Sequence, residues 1–123
     1  MVECRFTTYA EPVDPRLRPI CVFSVAGCFA KLGAAQAIVT LKPGDGLELR
    51  REPDNEHDGR AVLVAHGDQL LGYVPAKTDD HKNVVIAALI DTGVELMAIV
   101  RRTLPERGNV EVAVYMRVIT EVI

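Results

Sequence analysis

The sequence predicts a mainly β domain: a small, strongly bent antiparallel sheet or barrel of six or seven short strands, with one main short helix. Three observations carry this. Short runs of β-branched or alternating apolar and polar residues recur along the chain, turn signals rich in Gly, Pro, Asn and Asp separate them, and a single segment has helix punctuation at both ends. With 49% of 123 residues hydrophobic, a flat open sheet would leave much apolar surface wet, so the sheet must bend or close. That length suits one core and is too short for two.

Residues 1–19 hold Pro12, Pro15 and Pro19 among polar residues and read as a lead-in arm, because proline fixes φ and removes a backbone donor. The barrel domain is expected over 20–123. Its first strand is "ICVFSVAGCF", ending near Gly27, where a bend is tolerated. "QAIVTL", residues 36–41, supplies the seventh candidate strand, and the turn "KPGDG" follows. In the next strand Leu47, Leu49 and Arg51 share one face, while Glu48, Arg50 and Glu52 share the other. Pro53 ends it, since it cannot join a ladder and pushes Glu52 toward extended geometry. "AVLVA" starts a strand at Ala61, and "LLGYVP" forms another closed by Pro75; "HGDQ" is the hairpin connection between them.

The helix is expected to start near Asn83 as its cap, to repeat Val85, Ala88 and Leu89 at helical spacing, and to end with Gly93 in the left-handed position. "VELMAIVRR" then returns to strand. In "VEVAVYMRV", Val110, Val112, Val114, Met116 and Val118 alternate with Glu111, Ala113, Tyr115 and Arg117, the pattern of a half-buried strand.

Net charge is −3, which argues against a strong general affinity for nucleic acid, because that affinity comes mostly from Lys and Arg neutralising phosphates. Local basic faces remain at Arg50, Arg51 and Arg60, and at Arg101 and Arg102. Cys4, Cys21 and Cys28 are odd in number and lack CxxC spacing, so neither a disulfide framework nor a zinc knuckle is proposed, and a reducing, cytoplasmic setting is expected. No apolar stretch approaches the roughly 20 residues that span a bilayer, and no membrane partner is expected. The patterns GxxxxGK[ST], GxSxG and HExxH do not occur, and His57, His66 and His81 have no metal-building spacing with the cysteines. No cofactor, metal or catalytic residue is therefore expected. The remaining enzymatic alternative is a thiol–histidine dyad from Cys21 or Cys28, set against the usual role of strand cysteines as inert buried hydrophobes.

The loop in "REPDNEHDGRAV", residues 51–62, concentrates charge between two apolar strands. Arg51 lies on the apolar face and must be hydrogen-bonded, with Asp58, Glu52 and the loop carbonyls as the nearest candidates. Arg51, Glu52 and Pro53 thus read as structural closure of the loop. Asn55 and Asp58 suit Asx turns that satisfy the loop's own N–H groups. On a functional reading, the same ordered loop presents Asn55, His57 and Arg60 beside Tyr73 to a stretched nucleic-acid strand.

"LKPGDGLELRREPDNEHDGRAVLV", "LLGYVPAK" and "NVVIAALIDTG" together resemble the HIRAN domain over about residues 20–102. Its pattern is Arg-Glu-Pro-x-Asn-x-x-Asp-x-x-Ala-Val, then Gly-Tyr-Val/Leu-Pro, then an Ile-Ala-x-Leu-x-Asp-x-Gly helix. Arg51, Glu52, Pro53, Asn55, Asp58, Ala61 and Val62 fall in register, as do Gly72, Tyr73, Val74 and Pro75. The resemblance implies a small antiparallel barrel of the OB/SH3-like kind that reads single-stranded DNA ends. Such domains are fused to helicase-like ATPases, stand alone or accompany nucleases, and any hydrolase or zinc chemistry belongs to the fused partners. It places Asn55 and Asp58 near the terminal sugar, His57 where tyrosine is usual, and Phe23, Ser24 and Val25 where end readers carry an Arg-aromatic pair.

Two function classes follow. One is a non-catalytic module for single-stranded DNA or DNA ends in repair or DNA processing, with Asn55, His57, Asp58, Arg60 and Tyr73 as its binding residues. The other is a protein-interaction barrel that recruits a helicase-like or nuclease partner through an edge strand or the Arg-rich hairpin, without binding DNA itself.

Overall fold

The computed structural model describes residues 16–76 and 81–117. Six strands form one antiparallel sheet in the order β1-β6-β5-β2-β3-β4: β1 Leu17–Ser24, β2 Gly46–Glu52, β3 Ala61–His66, β4 Gln69–Tyr73, β5 Leu96–Leu104 and β6 Asn109–Arg117. Two helices, α1 Ala34–Thr40 and α2 Lys82–Asp91, complete it. Among the described residues, no helix is long and apolar enough to cross a membrane.

The sheet bends at β2. Its first residues, Gly46 and Leu47, pair with Ile99 and Ala98 of β5, and from Glu48 to Glu52 it pairs with β3. One strand thereby serves two half-sheets, as corner strands do. The far ends, β1 and β4, share no ladder, but Ala26 and Tyr73 exchange two backbone hydrogen bonds of 2.8 Å each just past the end of β1. This bridge depends on Gly72. It holds φ +152, and a Cβ there would stand 2.4 Å from the Ala26 carbonyl oxygen and 2.6 Å from a Val25 methyl. The result is a small, incompletely closed barrel of the OB kind.

Inside lies one core to which every element contributes, including Phe23, Ile38, Leu47, Val62, Val64, Leu71, Ile86, Val100, Val110, Val112 and Val114. The expected alternation in β6 places its valines there. The opposite side of β6 is not wet: Ala113 and Tyr115 join Leu17, Ile99 and Met97 in a second, smaller apolar cluster. Val118 lies outside the described residues. β3 is buried from Ala61 to Ala65, which accounts for its continuous apolar run. Its hairpin to β4 turns at Gly67, φ +61, with His66 opposite Gln69.

Four sequence expectations are corrected. "QAIVTL" is part of α1 rather than a seventh strand. Gly33, at φ +82, starts this helix, Ala34–Ala37 are good helix formers, and docking of Ala34 and Ile38 into the interior outweighs the β preference of Ile38, Val39 and Thr40. β1 begins at Leu17, so Pro19 is a strand residue; an edge position next to a register shift after Pro19 accommodates its missing donor. Asn83 does not cap α2. It lies inside the helix, 5% exposed, with its amide turned to the loop after β2, and His81 occupies the cap position. The buried face of α2 is accordingly Asn83, Ile86 and Ala87, not the Val85, Ala88 and Leu89 set. The C-terminal expectation holds: Gly93, φ +87, donates to Ile90 O and Val94 to Leu89 O, the double bond of a Schellman end.

Candidate functional site

The loop 53–60 is held by its own side chains. Asn55 N donates to Glu52 O at 3.1 Å, and Asn55 Nδ2 donates to Glu52 Oε1 at 3.1 Å. The Asn55 Oδ1 accepts from the His57 and Asp58 amides at 2.9 and 3.1 Å, which is the expected Asx turn. Asp58 Oδ1 accepts from Arg60 N at 2.9 Å, and Asp58 O accepts from Ala61 N at 3.0 Å. Its other carboxylate oxygen accepts from Asn83 Nδ2 at 2.9 Å, tying the loop to α2.

Arg51 does close the loop, but with a different acid from the expected one. Its Nε and Nη2 donate to the Asp91 carboxylate at 3.0 and 3.2 Å, and Nη1 donates to Ala61 O at 3.0 Å. The carbonyl half of the expectation holds. The carboxylate is Asp91 because Asp58 is already committed to Arg60 and Asn83, and Glu52 faces the other way along the strand, toward Asn55 and Tyr73.

Tyr73, the last residue of β4, donates its hydroxyl to Glu52 Oε1 at 2.8 Å. The bond from Asn55, then the bond from Tyr73, with Lys31's charge adding to both, hold the Glu52 carboxyl below the usual carboxylate range. Lys31 Nζ donates to the Tyr73 oxygen at 3.3 Å and sits 4.8 Å from the ring centroid. Loop and strand together wall a groove of about 270 Å³ lined by Asn55, His57, Asp58 and Tyr73, floored by Ala26, Gly27, Ala61, Val74 and Ala76. So four of the sequence-selected residues meet in one place. Arg60 does not line the groove and stands exposed at the loop exit. Residues 26 and 27, which no motif marked, form part of its floor and continue into a cleft of about 400 Å³ that reaches Cys28, Arg107 and Asn109.

At about 270 Å³ the groove is slightly below the range of about 300–1,000 Å³ usual for ligand pockets, which suits a small group. On the first strand, Phe23 and Val25 are core residues and Ser24 is exposed, so that strand offers the groove no cation. Burial pushes the Cys28 thiol up, away from the reactive thiolate, and its sulfur contacts Val25 O and Asn109 Oδ1 rather than a histidine. Among the described residues, no three His, Cys, Asp or Glu side chains cluster to hold a metal.

Fold and groove define the class: a small OB-type β-barrel module whose polar loop and neighbouring strand wall a compact groove. Within that class the chain belongs to the HIRAN domain family, whose model matches residues 21–120. The match extends through β6, beyond the motifs that end near residue 102. A protein from Lactobacillus plantarum has the same fold, with a TM-score of 0.71 and 24% identity over 81% of this chain and 94% of that one. The HIRAN domain of human HLTF superposes with a TM-score of 0.63 and 13% identity, over 81% of this chain and 78% of that one. No curated protein matches the chain.

Proposed function

We propose that this chain is a non-catalytic nucleic-acid-binding module that takes single-stranded DNA or a DNA end into the groove between the 53–60 loop and β4. The observation that carries the reading is the convergence of Asn55, His57, Asp58 and Tyr73 on one groove in a HIRAN barrel. His57 and Tyr73 supply aromatic faces for a base, and stacking accepts any base. Asn55 and Asp58 supply polar atoms for the sugar, which set register rather than sequence. Arg60 serves the strand outside the groove by charge. The Asn55 and Asp58 side chains and the His57 backbone amide are already hydrogen-bonded within the loop, so little ordering of its backbone is required when a ligand enters. A DNA-processing or repair setting follows from that ligand.

The test is a binding titration with single strands ending in a 3′-hydroxyl, strands ending in a 3′-phosphate, and circular strands without ends. Preference for either linear ligand supports end recognition, and equal binding of all three supports a general single-strand site. Indifference to all three refutes the DNA reading. One observation favours the second reading, a barrel that recruits a helicase-like or nuclease protein: Leu32 and Val39, in and before α1, are 98% and 67% exposed. Such side chains serve protein contacts better than a charged strand.

A further inference from the structure

Lys31 lies outside every sequence motif, in the turn between Cys28 and α1. That turn is built rather than loose. Lys31 N donates to Cys28 O at 3.1 Å, Ala34 N donates to Lys31 O at 3.1 Å, and Gln69 Nε2 reaches across from β4 to the Leu32 carbonyl at 2.8 Å. Gly33 permits the turn: it holds φ +82, and a Cβ there would stand 2.8 Å from Gln69 Oε1. The lysine side chain is placed as firmly. A Nζ 3.3 Å from the phenol oxygen and 4.8 Å from the ring centroid stands toward the hydroxyl end of Tyr73, above its face.

The charge distribution makes this placement informative. Arg50, Arg51, Arg101, Arg102 and Arg117 each pair with a carboxylate, Glu48, Asp91, Glu111, Glu111 and Glu95 respectively. Lys31, like Lys42, Arg60 and Arg107, has no ion pair among the described residues, and of these four it is the one whose side chain is bonded to a residue lining the groove. Its partner is a neutral phenol, and the nearby Glu52 oxygen is occupied by Asn55 and Tyr73. An ammonium has three N–H donors, of which one is used. On a protein with a net charge of −3, Lys31 sets a positive charge with N–H donors to spare at a groove-lining ring, although that charge also reaches Glu52, and a phosphate there gains an attraction.

We infer that Lys31 contacts a backbone phosphate of the bound strand beside Tyr73, and supplies the attraction that outweighs the neighbouring Glu52 carboxylate. This rests on the single-strand reading proposed above.

The experiment is a salt titration of binding to an oligothymidine single strand by the wild-type protein, Lys31→Met and Lys31→Arg. One phosphate contact on a single strand contributes about 0.7 to the slope of log K against log salt. Lys31→Met should therefore show a slope shallower by about 0.7, roughly eightfold weaker binding at about 0.05 M salt, and almost no deficit near 1 M. Lys31→Arg should restore the slope. If Lys31 only orients Tyr73, the methionine variant weakens binding equally at all salt concentrations, and that parallel shift overturns the inference alone. An unchanged slope and affinity in Lys31→Met overturns it as well. Absence of binding by the wild-type protein overturns both this inference and the function it rests on. Matching thermal melts of the three proteins exclude unfolding as the cause.

Discussion

Replacing Gly72 with alanine should open the barrel at its weakest seam. The new Cβ would lie 2.4 Å from the Ala26 carbonyl oxygen and 2.6 Å from a Val25 methyl, and backbone and core must both give way. Forcing a non-glycine residue into φ +152 costs about 1 to 3 kcal/mol. Loss of the two 2.8 Å Ala26–Tyr73 bonds adds about 0.5 to 1.5 kcal/mol each. The sum is a destabilisation of roughly 2 to 6 kcal/mol, which at the usual urea sensitivity of a small domain, about 2 kcal/mol/M, lowers the midpoint by roughly 1 to 3 M. Gly93→Ala is the control: it has a similar positive φ of +87 but nothing within 4 Å of the added Cβ, so it should cost about 1 to 2 kcal/mol. Urea unfolding gives the midpoints, and amide exchange at Ala26 and Tyr73 reports the seam directly. A Gly72→Ala protein as stable as Gly93→Ala, with both amides still protected, would refute the closure argument.

Arg51→Ala should destabilise the fold by about 1 to 3 kcal/mol, because it strands the Ala61 carbonyl and removes the tie between β2 and the end of α2; Asp91→Asn should cost less, since Asp91 is 55% exposed and the carbonyl bond survives. Thermal melts of both decide it, and a wild-type melting point in Arg51→Ala refutes the structural role. His57→Ala and Arg60→Ala should stay within about 0.5 kcal/mol of wild type while weakening single-strand binding, and Arg60→Ala should also flatten the salt dependence. Unchanged binding in both removes the loop tip from the interface. Because the folded Glu52 carboxyl is held below its usual range, its contribution is complete above about pH 4.3 and fades as pH falls through the lower folded value. Glu52→Gln should therefore lose less stability than wild type between neutral and acid pH, as read from urea midpoints at several pH values, and parallel pH profiles contradict the assignment.

Most of the barrel was legible because its signals are local. Alternation in 47–52 and 110–116, the Pro53 stop, the Gly67 hairpin and the Gly93 end depend only on neighbouring residues, and each appears where its chemistry places it. The loop's Asx turn was legible for the same reason. What was not legible depends on distance along the chain. Asp91 is forty positions from Arg51, and no local rule prefers it to Asp58 until Asp58 is seen to be occupied. Asn83 has the right identity for a cap and the wrong surroundings, since Asp58 draws its amide inward. α1 was misread because three β-favouring residues at its end concealed an alanine-rich start. Lys31 gave no signal beyond being a lysine; only the Gly33 turn and the Gln69 bond bring it to Tyr73.

The pairing of β1 with β6 sets Leu17 opposite Arg117 and Ser24 opposite Glu111, so among the described residues the first strand finds its ladder partner in the last one. At roughly 5 to 20 residues per second, a ribosome takes on the order of 5 to 20 seconds to make the residues in between. For that interval β1 is a nascent strand with no β6 to pair with and a strong tendency to add to whatever edge it meets. Arg18 and Pro19 near its start act as gatekeepers during that wait, breaking a stretch that otherwise reads as apolar and β-branched. Completion of the sheet is then a long-range event that waits for β6, and the fold joins the slow end of single-domain folding, in milliseconds to seconds once all six strands are available.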